Sequence, residues 1–130
     1  MSRVLLIDDT PEIAELLGYA LRDRGYDVTV TGYTTSINET IVKAQADAVV
    51  LDCSSFDMSE SLFDMVRDEE RHAALPVVII SDTPDEAVAS LRARRAEQVR
   101  LVPKPFSGSQ VVAALEQLLE PQHDDASSRQ

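Results

Sequence analysis

Five residues of this chain carry the chemistry that handles phosphate and hard cations: the carboxylates of Asp8, Asp9 and Asp52, the hydroxyl of Ser81 and the ammonium of Lys104. Each stands at or just past the end of a short apolar run. Val4-Leu-Leu-Ile precedes Asp8 and Asp9, Val49-Val-Leu precedes Asp52, Val77-Val-Ile-Ile precedes Ser81, and Val99-Arg-Leu-Val lies ahead of Lys104. Two unit charges about 4 Å apart interact by about 4 kcal/mol at an effective dielectric near 20, so three clustered carboxylates call for a cation. Oxygen-only ligands with room left for water and a phosphate oxygen suit magnesium. A carboxylate can attack phosphorus, and phosphoryl transfer needs chiefly positioning and neutralisation of charge on the equatorial oxygens. Magnesium, Ser81 and Lys104 are the groups to supply that. Singly, each residue has an ordinary explanation, because acids cap helices, serines end strands and lysines fill solvated turns. The weight lies in their coincidence at four strand ends.

The elements that must position them follow from the hydrophobic pattern. Short β-branched and leucine-rich runs alternate with longer segments of helical period, which builds a parallel sheet covered by helices on both faces. The predicted strands are Val4 to Ile7, Tyr26 to Val30, Ala48 to Leu51, Val77 to Ile80 and Val99 to Val102. Most lack polar alternation and should be buried on both faces. Ligands of such open sheets bind outside the carboxyl ends of the strands, where the five residues stand. The first helix follows Thr10-Pro11, uses Ile13, Leu16, Leu17, Ala20 and Leu21 as its apolar stripe, and stops at Gly25. Ser36 with Glu39, Thr83 with Glu86 and Ser107 with Gln110 read as capping boxes for the second, fourth and fifth helices. The third helix is predicted to begin after Met58, with Leu62, Met65 and Val66 on its buried side.

At 130 residues the chain has room for one domain. Residues 1–120 form it, and 121–130, nearly devoid of apolar side chains, read as a disordered tail or linker stump. Twelve Lys and Arg against 23 Asp and Glu give a formal charge of -11, which opposes direct nucleic-acid binding and association with anionic membranes. No long apolar stretch marks a leader or a membrane span, and the single Cys53 has no partner for an internal disulfide. Both point to the cytoplasm.

The segments Val4-Leu-Leu-Ile-Asp8-Asp9-Thr-Pro, Val49-Val-Leu-Asp52, Pro76-Val-Val-Ile-Ile-Ser81 and Lys104-Pro105-Phe106 resemble the motifs of response-regulator receiver domains of two-component signalling, over about residues 3 to 120. The resemblance implies a flavodoxin-like α/β fold, a doubly wound five-stranded parallel sheet in the order 2-1-3-4-5. It implies Asp52 as phosphoacceptor from a sensor histidine kinase, a phosphotransfer protein or a small phosphodonor, and Mg2+ as cofactor. Asp9, Asp52 and the carbonyl of Ser54 would hold the metal directly, and Asp8 largely through water. Lys104 would contact the phosphoryl group across a cis Lys104-Pro105 bond, and Ser81 would move toward it in the active state. Output would pass to a downstream protein target or effector domain, with the fourth helix, fifth strand and fifth helix as a docking or homodimer face. On this reading the chain is no enzyme beyond its own phosphorylation and dephosphorylation.

The sequence departs from that pattern in three places. Leu101 stands where receivers usually carry an aromatic switch residue, the loop Cys53-Ser-Ser-Phe-Asp-Met-Ser-Glu60 lacks the usual Met-Pro and Asp-Gly pairs, and Asp82 follows Ser81 in place of a small residue. Asp82 would repel an incoming dianion, or it would simply favour the start of the fourth helix. A pseudo-receiver acting as a phosphorylation-independent binding module is the alternative within signalling, opposed by the presence of all five site residues. An aspartate-nucleophile phosphohydrolase of the haloacid dehalogenase type would need an acid two residues after Asp52, where Ser54 stands. A nucleotide or flavin site would need a glycine- or hydroxyl-rich loop after the first strand, where Asp8 and Asp9 stand. Arg92, Arg94 and Arg95 form a basic cluster on the predicted fourth helix, read as a solvated face ahead of a docking contact.

Overall fold

Three runs with no polar residue inside them make the middle of the sheet: β1 (Arg3–Asp8), β3 (Ala48–Asp52) and β4 (Val77–Ser81). From Val4 onward every residue of these strands is buried. The computed structural model describes residues 2–119. Flanking the three are β2 (Asp27–Thr31) and β5 (Val99–Pro103), giving a parallel sheet in the order β2-β1-β3-β4-β5. That is the order the family resemblance implies. The two edge strands expose several of their side chains, so the expectation of burial on both faces holds for the central strands and fails at the edges, where one side lacks a neighbour.

Alternate residues of β1 feed two separate cores. Val4 and Leu6 pack with Leu17 and Leu21 of α1 (Pro11–Asp23) and with Val111, Leu115 and Leu118 of α5 (Gly108–Leu119). Leu5 and Ile7 pack on the other face, with Ile37 and Ile41 of α2 (Ile37–Ala44), Leu62 and Phe63 of α3 (Phe56–Asp68) and Ala87 of α4 (Pro84–Ala93). Fully burying such a side chain contributes about 1.5–3 kcal/mol, and this two-sided core holds the strand ends in register against the cost of burying acids there. Among the described residues no helix is long and apolar enough to cross a membrane.

Several local expectations are corrected. Each central strand runs one residue further, so that Asp8, Asp52 and Ser81 belong to the ladder. Leu16 is half exposed, whereas Ala14 and Gly18 are buried: α1 turns its small residues to the core because it lies close on the sheet and on α5. Helix α3 begins at Phe56, ahead of Met58, because the Phe56 side chain is buried in the second core. Of the three capping boxes only Ser107–Gln110 closes, with the Ser107 N–H donating to Gln110 Oε1 at 2.7 Å and the Gln110 N–H to Ser107 Oγ at 3.4 Å. The Ser36 and Thr83 side chains make no cap bond. The proposed tail at 121–130 lies outside the described residues.

The basic cluster is also rearranged. Helix α4 ends at Ala93, so Arg94 is its cap and Arg95 lies beyond it with φ +51°. Arg94 is no free surface charge: it makes a two-pronged contact with Asp64 of α3 at 2.8 and 3.0 Å and pairs with Glu60 at 3.2 Å. The Ser90 hydroxyl also donates to Glu60, adding to the polar seam between α3 and α4.

A second arginine ties the opposite end of the sheet. Arg67 donates to the carbonyls of His72, Leu75, Glu97 and Gln98 at 2.8 to 3.1 Å while its guanidinium stacks 4.8 Å over the Phe63 ring. Lysine cannot reproduce that planar fork. Arg67→Ala should cost about 2–4 kcal/mol, and Arg67→Lys should recover less than half of it, as read from urea unfolding. Loss of under about 0.5 kcal/mol for Arg67→Ala would show that the loops are held by other contacts.

Candidate functional site

The register of β1 on β3 sets Asp8 directly beside Asp52 at the carboxyl end of the sheet. Both are buried, at 6% exposure each. Asp8 Oδ1 accepts the Thr10 N–H at 2.9 Å, while Asp8 Oδ2 is buried without a hydrogen-bond partner. Its carboxyl is pushed up to about 7, first by burial and then by the Asp52 carboxylate beside it, against the Thr10 amide and the Lys104 charge, which act the other way.

Lys104 reaches back across the sheet, and its Nζ pairs with Asp52 Oδ1 at 3.2 Å. Its approach is fixed by backbone. The Lys104-Pro105 peptide is cis, as the resemblance implies, and the Lys104 N–H donates to the Ser81 carbonyl at 2.8 Å. Ser81 itself is buried. Its Oγ accepts the Thr83 N–H at 3.0 Å and lies 3.2 Å from the Thr83 hydroxyl, so at the neighbouring strand end it is engaged with the start of α4.

Asp9 is exposed on the rim, and its Oδ1 accepts the backbone N–H of Tyr33 at 2.9 Å. A cleft of about 130 Å³ is lined by Asp9, Thr10, Ile13, Asp52, Cys53, Ser54, Lys104 and Phe106. Burial raises the Cys53 thiol above its ordinary range. Asp82 is exposed and lies outside this lining.

The five predicted residues thus converge in part. Asp8, Asp52 and Lys104 meet, and Asp9 and Ser54 share the cleft with Asp52. Asp9 is drawn toward Tyr33 and Ser81 toward Thr83, and among the described residues no three acidic, imidazole or thiol side chains gather closely enough to enclose a metal. One Asp52 oxygen is paired with Lys104 and one Asp9 oxygen with the Tyr33 amide, which leaves the second oxygen of each acid. A divalent cation nevertheless fits this donor set, because Asp8 carries a buried, partnerless oxygen beside a second acid. Sequence reasoning missed Thr10, Tyr33 and Thr83. The Thr10 amide two residues after Asp8 is a local turn that the Asp-x-Thr spacing could have revealed. The Tyr33 contact crosses from another loop and leaves no local signal.

Comparison with known proteins agrees with this geometry. The family model described as response regulator receiver domain matches residues 4–116. The Probable transcriptional regulatory protein TcrX of Mycobacterium tuberculosis is 34% identical over 119 residues, covering 89% of this chain and 49% of that protein. The chain spans about half the length of the curated relatives it matches. Among solved structures, a sensor protein from Polaromonas sp. JS666 superposes with a TM-score of 0.79 at 21% identity, covering 92% of this chain and 97% of the other. The receiver domain of the sensor histidine kinase PA1611 from Pseudomonas aeruginosa PAO1, solved with a magnesium ion coordinated in its active site cleft, superposes with a TM-score of 0.72 at 20% identity, covering 91% and 97%. This chain belongs to the response regulator receiver domain family of two-component signalling. Its members are signalling proteins, not enzymes in the ordinary sense.

The raised Asp8 carboxyl sets the sign of a pH effect. Its folded state favours the protonated form, so this contribution to stability is complete below about pH 4 and is lost as pH rises to about 7. With divalent cations chelated, urea unfolding should show stability falling across that window relative to Asp8→Asn, which has no such proton. Parallel pH profiles for the two proteins would refute the assignment.

Proposed function

We propose that the chain is a phosphorylation switch in which Asp52 accepts a phosphoryl group from a sensor histidine kinase, a phosphotransfer protein or a small phosphodonor, with Mg2+ as the cation required. The observation that carries the reading is the state of Asp52. It is a buried carboxylate at the end of the central strand, on the wall of a small cleft, with one oxygen held by Lys104.

In the transfer, an Asp52 oxygen attacks the donor phosphorus. The new O–P bond forms as the bond from phosphorus to the leaving atom breaks, the imidazole nitrogen in the case of a phosphohistidine, and the electron pair departs with the donor. Lys104, paired with Asp52 Oδ1, neutralises charge on the incoming group. The Ser81 hydroxyl, released from Thr83, donates to a phosphoryl oxygen. Asp9, Asp52 and the Ser54 carbonyl would hold magnesium directly and Asp8 largely through water. When bound, the ion neutralises charge on both the phosphoryl oxygens and the crowded acids.

The output side is assigned to α4, β5 and α5, for a downstream protein target, an effector domain or a second copy of the chain. There a groove between α4 and β5 sets Arg92, Arg95 and Arg100 beside Val88, Leu91 and Leu101. Leu101 packs against the second core and offers no phenol to relay Ser81 movement to this face.

Incubation with acetyl phosphate and magnesium should add one phosphoryl group by intact mass, and Asp52→Asn should add none, since an amide is no anionic nucleophile. Equal labelling of the two proteins would defeat the proposal. Titration calorimetry with magnesium should show Asp9→Ala weakening affinity about 10–100-fold and Asp8→Ala by less. The opposite order would mean that the two acids exchange roles.

A further inference from the structure

The loop between β2 and α2 closes on Asp9 from the side. The Tyr33 N–H donates to Asp9 Oδ1 at 2.9 Å, and the residue before it is Gly32. A Cβ built on Gly32 would stand 2.6 Å from Asp9 Oδ1, and beyond its chain neighbours the Asp9 carboxylate is all that it would meet within 4 Å. The Gly32 backbone is outside the left-handed region, unlike Gly25 at φ +92°, so its conformation suits any residue. What a side chain at position 32 would displace is one carboxylate oxygen at the movable end of Asp9.

We propose that Gly32 and the Tyr33 amide form a positioning clamp on Asp9, fixing one carboxylate oxygen and leaving the other for the magnesium ion. The inference rests on the reading of Asp9 as a metal ligand. An exposed aspartate has a soft terminal torsion and turns readily toward water. A backbone amide held by the sheet edge removes that freedom before the ion arrives, and such outer contacts commonly carry 10–100-fold in metal affinity. Because the donor is main chain, proline is the one substitution at position 33 that deletes it. The handle is position 32, where any side chain drives the carboxylate off the amide.

The test uses the whole chain with magnesium chloride as the probe. Gly32→Ala should weaken magnesium binding by about tenfold or more in calorimetry while changing the melting temperature in chelator by only a few degrees. Amide exchange of Tyr33 in chelator should quicken in Gly32→Ala. In an Asp9→Ala background the same alanine should have no further effect on magnesium affinity, and any loss of melting temperature should be recovered there, because the clash is gone. Magnesium affinity within twofold of the parent, or a stability loss that persists without Asp9, would overturn the clamp. If the parent chain binds no magnesium, the reading of the site falls. Tyr33 exchange then decides the contact alone, faster exchange in Gly32→Ala sustaining it and unchanged exchange ending it.

Discussion

Two carboxylates side by side on neighbouring strands are the constraint from which the rest of this site follows. The β1–β3 register leaves Asp8 and Asp52 no distance from each other and almost no water. Such a pair is tolerable only if one acid keeps its proton or if positive charge stands by. The protein uses both means. Burial and the neighbouring Asp52 push the Asp8 carboxyl up to about 7, and Lys104, whose N–H is bonded to the Ser81 carbonyl, pairs with Asp52. Even so, one Asp8 oxygen stays buried without a hydrogen-bond partner.

One oxygen of each acid is held by a nearby donor: the Thr10 amide on Asp8, the Tyr33 amide on Asp9, Lys104 on Asp52. The donors come from three different segments, so the positions of the acids depend on how those segments are packed. The two-sided core does that work, with Leu6 facing α1 and α5 while Leu5 and Ile7 face α2, α3 and α4.

Much of this was legible in the sequence, because the signals were of the kind that sequence carries. Apolar runs, unbroken in the three central strands and interrupted by Asp27, Thr29 and Arg100 at the edges, located all five strands to within a residue or two, and the position of each acid after its run located it at the carboxyl edge. What was not legible was what depends on contacts between distant segments. Nothing near Leu16 says that Ala14 and Gly18 will face the core instead, and nothing near Asp9 says that Tyr33 will reach it. The boxes at Ser36 and Thr83 matched a local rule but neither side chain caps its helix, and the Thr83 hydroxyl lies instead 3.2 Å from the Ser81 hydroxyl, two residues away. Arg94 read as a surface charge because its partners, Glu60 and Asp64, lie 34 and 30 residues earlier in the chain.

The seam between α3 and α4 gives the fourth helix an attachment unlike that of its neighbours. Helix α4 buries only Ala87 fully, whereas α1 buries Ala14, Leu17, Gly18 and Leu21. Its hold therefore leans on Arg94, Ser90 and the acids of α3, contacts at a partly wet surface whose strength dissolved ions erode. Apolar burial is far less sensitive to salt. Within one small molecule, the local opening of the helix that follows Thr83, the partner of Ser81, is thus tuned by the ionic medium more than that of helices with larger apolar faces on the core.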